Sequence, residues 1–209
     1  MIDPIRTGTV ASIAHPGGNI TGISLDAGFE IYGKRLQILK ELIPAASRVG
    51  FLAVRDEWDS PGGLALRDTA RGLDISLIDI SLLDVDPSAI RRAFAEMPQQ
   101  RLDAVLVGQI LYRYRQLIPE LAEQARLPAI YPYREYVEAG GLIGYAPDST
   151  DLARRLAQQV REILNGARPG DIPIYQPTKF ELVINLKTAK ALGIEVTPTL
   201  LARADEVIE

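Results

Sequence analysis

Three short stretches gather the side chains that could do chemistry. "RDEWDSPGG" (55–63) brings together Arg55, Asp56, Glu57, Trp58, Asp59 and Ser60. Gln109 and Tyr112 follow the apolar run "LDAVLVG" (102–108). Tyr133, Arg134 and Glu135 follow "LPAIYP" (127–132), whose end carries Tyr131. Cations, carboxylates, amides and aromatic rings are what a pocket for a small zwitterion needs. An arginine fork also suits a carboxylate. The candidate ligand-facing residues are therefore Arg55, Asp56, Ser60, Gln109, Tyr112, Tyr131 and Arg134.

Each has a plainer reading. Arg55 and Asp56 could only solvate a loop, and Trp58 beside Pro61 could pack on a surface. Of Tyr131 and Tyr133, one could be core and the other exposed. Arg134 and Glu135 could neutralise a helix start. Arg91-Arg92 and Arg154-Arg155 read as solvated helix faces.

Catalytic signatures are missing. The chain holds no G-x-S-x-G, no G-x-x-x-x-G-K-[ST] and no H-E-x-x-H. Asp56 and Glu57 are adjacent, so their side chains tend to diverge, which suits paired acid/base work poorly. With no cysteine and one histidine, thiolate metal sites are excluded and zinc or haem ligation is not expected. His15, just before a Pro-Gly-Gly turn, reads as a loop residue. No metal and no cofactor is expected.

The elements that must position these residues alternate. Apolar runs at 48–54, 74–82, 102–108, 127–132, 142–147 and 181–186 read as strands. Helical spacing falls at 30–42, 61–73, 86–97, 113–126, 134–141 and 149–166. Asp86 reads as an N-cap, with Pro61 and Pro87 at first helical positions. Pro119 must sit on an exposed side or kink its helix. Over 48–132 this βαβ alternation predicts an α/β fold with a doubly wound parallel sheet. In such sheets ligands bind outside the carboxyl ends of the strands, where the candidate residues cluster. The opening reads as a short amphipathic helix on Ile5, Val10, Ile13 and Ala14, then a strand over 19–24. A short helical turn follows at 187–193.

At 209 residues the chain has room for one large domain or two small ones. A net charge of −4 and a pI of about 5.2 give no reason to expect nucleic acid or an anionic membrane as partner. No apolar run approaches the ~20 residues that span a bilayer, and no signal-peptide pattern follows Met1. As written, the chain would stay in the cytoplasm.

"DPIRTGTVASIAHPGGNITGIS", "GKRLQILKELIPAASRVGFL", "REYVEAGGLIGYAPDSTDLARR" and "QPTKFELVINLKTAKALGIEVTPTLLARADEVIE" together resemble the ABC-transporter substrate-binding proteins of the tryptophan and tyrosine type. The resemblance covers essentially the whole chain. It implies a type I periplasmic binding-protein fold, with two Rossmann-like lobes that clamp a small solute and present it to a membrane permease. It also implies a periplasmic or lipid-anchored setting, and an export signal and most of a first lobe upstream. On it, 1–24 is the end of the first lobe and the first crossing strand, and 25–140 is the second lobe. Residues 141–180 hold crossing segments and a first-lobe helix, and 181–209 returns to the second lobe. Relatives often carry an Asn-rich loop where this chain has "RDEWDSPGG", and an acid where it has Gln109, so the ligand is left open, an amino acid being one option. The stripe Ala153, Leu156, Val160, Ile163 and Leu164, left uncovered, would favour a homodimer through helix 149–166. A cytoplasmic ligand-sensing module and a small α/β enzyme are the alternatives.

Overall fold

A computed structural model of the chain describes residues 4–24, 28 and 30–209. These divide into two compact units. The smaller is Met1–Gly28 with Pro147–Phe180, and the larger is Phe29–Ala146 with Glu181–Glu209.

In chain order the elements are α1 (Glu30–Leu42), β1 (Arg48–Val54), α2 (Arg55–Trp58), α3 (Pro61–Gly72), β2 (Ser76–Leu82), α4 (Pro87–Glu96), β3 (Ala104–Val107), α5 (Leu117–Gln124), β4 (Ala129–Tyr131), α6 (Arg134–Glu138), β5 (Ile143–Pro147), α7 (Ser149–Leu164), β6 (Phe180–Asn185), α8 (Leu186–Leu192), α9 (Pro198–Leu201) and β7 (Glu206–Ile208). A 3₁₀ helix over Gln109–Tyr114 lies between β3 and α5.

The seven strands form one sheet in the order β2-β1-β3-β4-β5-β6-β7. β1 pairs in parallel with both β2 and β3, β3 with β4, β4 with β5, and β6 with β7. Bonds from the Asn185 amide to the Leu142 carbonyl and from the Asp148 amide to the Lys179 carbonyl run β6 back against β5. The central strands carry near-continuous apolar runs because both faces are covered. On one face Leu52, Val105 and Val107 pack with Ile90, Phe94, Ile118 and Leu121. On the other, Phe51 meets Tyr32 of α1 edge to face, 6.0 Å between ring centres. Caps fall where the side chains allow them. Asp86 accepts the Ala89 amide at 2.8 Å, Ser60 accepts that of Gly63 at 3.2 Å, and Asp148 accepts those of Thr150 and Asp151.

Four readings are corrected. The helix expected on Ile5, Val10, Ile13 and Ala14 is a series of turns over the described residues. Gly8 stands at φ +69°, and the Thr9 and Val10 amides both turn back to the Pro4 carbonyl. That left-handed residue breaks the helical path. The strand expected over 19–24 is reduced to a single bridge, Ile23 to Tyr175. "RDEW" is a helical turn, α2, rather than loop. The helix expected over 113–126 starts only at Leu117, because the 3₁₀ helix comes first. Pro119 is buried in the first turn of α5, where its missing N–H has no intrahelical partner to lose. His15 is an exposed loop residue, its amide bonded to the Ser12 hydroxyl.

In the smaller unit α7 is turned inside out. Its buried side chains are Asp151 and Gln159. Asp151 accepts the Tyr175 hydroxyl at 2.7 Å, and Gln159 donates to the Gly22 and Pro173 carbonyls. Leu156, Val160, Ile163 and Leu164 are exposed.

Candidate functional site

The strand order reverses between β1 and β3. From β1 the chain moves outward to β2, and from β3 it moves the other way. At such a switch point the two flanking crossovers leave on opposite faces, and a crevice opens at the carboxyl ends of the strands. Glu57 follows one of those ends and Gln109 the other.

Glu57 fills this crevice from beneath. Only 4% of the residue is exposed. Its Oε1 accepts the Tyr32 hydroxyl at 2.8 Å and the Gln109 amide at 2.7 Å. Its Oε2 is buried with no hydrogen-bond partner. That oxygen lies against the Cα of Gly108, where a Cβ would strike it and crowd Ala53. Gly108 therefore serves close approach rather than an unusual φ. Burial pushes the Glu57 carboxyl above the ordinary range by more than its bonds from Gln109 and Tyr32 pull it down.

One helical turn along α1 lies Arg35, with no exposure at all. Its Nε donates to the Tyr145 carbonyl at 2.9 Å and its Nη2 to the Pro132 carbonyl at 3.2 Å, while Nη1 is buried without a partner. Burial pulls its pKa down; the fields of Tyr32, Tyr133 and Glu57 oppose that. The two charges divide the edge between them. Glu57 binds α1 to the ends of β1 and β3, and Arg35 binds α1 to the end of β4 and to β5. Tyr133, largely buried beside them, has its hydroxyl pushed up to about 12, mainly by desolvation.

Around this base lie the residues expected from sequence. Gln109 is buried and Tyr112 exposed; the Tyr112 ring meets Tyr133 edge to face at 5.2 Å, and Arg115 lies over it at 4.9 Å. The Tyr112 hydroxyl reaches Glu135 at 3.3 Å. Trp58 packs tilted on Phe51 at 6.1 Å beneath the Arg67 guanidinium. Asp56 is exposed. Ser60 both caps α3 and donates to the Glu57 carbonyl at 2.7 Å. Arg55 turns away toward the sheet edge. It pairs with Asp79 at 2.8 Å and lines a groove of about 420 Å³ with Asp79, Leu82, Asp84 and Arg92. Arg134 is held by three carboxylates: Glu138 at 2.9 Å, Glu181 at 2.9 Å and Glu206 at 2.6 Å. Tyr131 corrects the expectation. It is a core residue, 1% exposed, its ring stacked on Tyr136 at 5.1 Å.

Sequence reasoning passed over Glu57, Arg35 and Tyr32. Arg35 left a signal, since it shares the apolar stripe of α1 with Ile31, Ile38, Leu39 and Leu42. A charge on a buried face demands a partner. Glu57 left none, because the brevity of α2 hid which way it points.

Among the described residues no cluster of His, Asp or Glu could hold a metal ion, and no helix is long and apolar enough to cross a membrane. A doubly wound sheet with polar groups at the carboxyl ends of its switch point is a lobe of the type I periplasmic binding-protein fold. The chain belongs to the family of ABC transporter substrate binding proteins, whose model matches residues 1–208. It is 25% identical over 196 residues to a tyrosine-binding protein of Clostridioides difficile (strain R20291), covering 92% of this chain and 55% of that protein. It thus spans about half the length of that curated relative. An ABC domain from Streptococcus pneumoniae, solved in complex with L-Trp, is 25% identical with a TM-score of 0.82, covering 99% of this chain and 71% of the other. A conserved domain protein from Vibrio cholerae has a TM-score of 0.84 at 24% identity, covering 98% and 68%.

Proposed function

We propose that the chain is the solute-binding component of an ABC importer, non-catalytic, and takes an amino acid with an aromatic side chain. The observation that carries this is the family match over 1–208, joined to a polar and aromatic switch-point edge in the larger unit. The solute class rests on the tyrosine-binding relative and on the domain holding L-Trp. The larger unit acts as one lobe of a two-lobed clamp. Closure on the solute shifts an equilibrium that the membrane permease reads, in a periplasmic or lipid-anchored setting.

Gln109, Tyr112, Asp56 and Ser60 form the solute-facing rim, Tyr112 offering a ring for stacking. Of the two arginines, Arg55, with one carboxylate partner, can re-pair with a ligand carboxylate more readily than Arg134, which already has three. The exposed apolar face of α7 is a contact surface for a second copy of the chain.

Calorimetric titration with L-tyrosine and L-tryptophan tests this. We expect binding of at least one. Tyr112→Ala and Arg55→Ala should each weaken it. Absence of binding by both amino acids would refute the solute class.

A further inference from the structure

We propose that Glu57 is the positioning residue of this edge: one buried carboxylate oxygen sets the start of the 109–114 turn against α1, and with it the placement of Gln109 and Tyr112. The proposal rests on the reading that this edge faces the solute.

The geometry is specific. Oε1 takes two donors from two different elements, the Tyr32 hydroxyl at 2.8 Å and the Gln109 amide at 2.7 Å. The Gln109 amide opens the 3₁₀ helix, so its bond fixes where that turn leaves β3. Tyr112 lies one 3₁₀ turn further on, and its ring is placed by the same turn. Oε2 lies where a Cβ on Gly108 would stand, so the carboxylate and the chain just before Gln109 are in close approach. The backbone of Glu57 is held from behind, because Ser60, just past the end of α2, donates its hydroxyl to the Glu57 carbonyl at 2.7 Å. The groups whose charge Glu57 feels or affects are Tyr32 and Arg35 on α1, Tyr133 after β4 and Tyr136 on α6. No phenol among them ionises near neutral pH. Asp56 and Asp59 flank Glu57 and Trp58, so a transition is assigned to Glu57 only where Glu57→Gln removes it and Asp56→Asn with Asp59→Asn leaves it.

The chain carries its own reporter. Trp58, adjacent to Glu57, is the one tryptophan in the sequence. Its emission should titrate with the carboxyl in the wild type and lose that transition in Glu57→Gln. Amide exchange by NMR should show the Gln109 amide about tenfold less protected in Glu57→Gln, with the amides of Val105 to Val107 unchanged. A purely structural role would loosen both together, and that outcome overturns the proposal, as does an unchanged Gln109. Should Glu57→Gln fail to fold, Tyr32→Phe decides. Losing one donor to the carboxylate must move the Trp58 transition to higher pH, and an unmoved transition overturns the assignment. L-tyrosine and L-tryptophan separate this from the functional reading. If a wild-type ligand binds Glu57→Gln equally well, the positioning role fails and the solute class stands. If neither amino acid binds the wild type, the solute class fails, and exchange at Gln109 still decides for or against Glu57.

Discussion

Glu57 and Gln109 meet across the point where the sheet reverses its order, the carboxylate of one accepting the backbone amide of the other at 2.7 Å. A buried carboxylate in that place closes the crevice floor with an acceptor, and the strand-end residues above it are left for other work. It also puts a charge where desolvation is costly.

Gly108→Ala tests how tightly the floor is packed. The new methyl would strike Oε2 of Glu57 and crowd Ala53, so the carboxylate would have to shift away from the donors held by Oε1. A loss of about 1–3 kcal/mol in urea unfolding is expected. In a Glu57→Ala background the same change should cost less, and additive losses would show that the two residues do not touch.

Stability should fall with rising pH on account of Glu57. Its folded-state pKa is raised by burial, so the native state binds the proton more tightly than the unfolded chain. The favourable contribution is therefore complete below the unfolded value, ~4.3, and is lost as pH climbs through the folded value. Unfolding curves collected across that window should lose this dependence in Glu57→Gln.

Arg35, fully buried, should carry more weight than Arg134 and Arg55. Arg35→Ala strands the Pro132 and Tyr145 carbonyls and leaves Glu57 without its opposing charge, so about 3–5 kcal/mol is expected. Arg134→Ala leaves Glu138, Glu181 and Glu206 facing one another at a partly exposed position, and about 1–2 kcal/mol is expected, shrinking as salt is added. Arg55→Ala, whose ion pair is exposed, should change stability by less than about 1 kcal/mol. Equal effects of all three would mean that burial does not set their weight.

The exposed stripe of α7 predicts self-association. Leu156→Gln together with Val160→Gln should lower the weight-average mass seen by light scattering, with little change in the unfolding midpoint because neither side chain is in the core. A wild-type chain that is monomeric at all concentrations would remove this surface from consideration.

Much of the sheet was legible because its signals are local and redundant. An apolar run covered on both faces, as in Val49 to Ala53, has few other uses, and Pro61 and Pro87 mark helix starts by chemistry alone. The edge was legible as a location, since residues that follow strands must lie there. The roles of its members were not. Tyr131 and Tyr133 are two apart and could each have been core; only packing against Tyr136 decides for Tyr131. Arg134 reads as an available cation until Glu181 and Glu206, from strands far along the chain, are brought to it. Asp56 and Glu57 diverge, as adjacent side chains tend to, one exposed and the other buried; which of the two turns inward depends on the helical turn of α2 and could not be read from their adjacency.

The larger unit is assembled from two separated stretches, 29–146 and 181–209. β1 to β5 can pair along one continuous stretch. β6 must return to β5 only after the chain has traced the smaller unit, bringing β7, Glu181 and Glu206 with it. Closing a loop of that size adds little to the equilibrium cost, since the penalty grows only as ~(3/2)RT ln n, but it delays the event. There is thus an interval during synthesis or refolding when β5 presents an unpaired, apolar strand edge and Arg134 lacks two of its three partners. Another chain's strand could take the place of β6 in that interval, so the yield of native protein depends on how quickly β6 arrives.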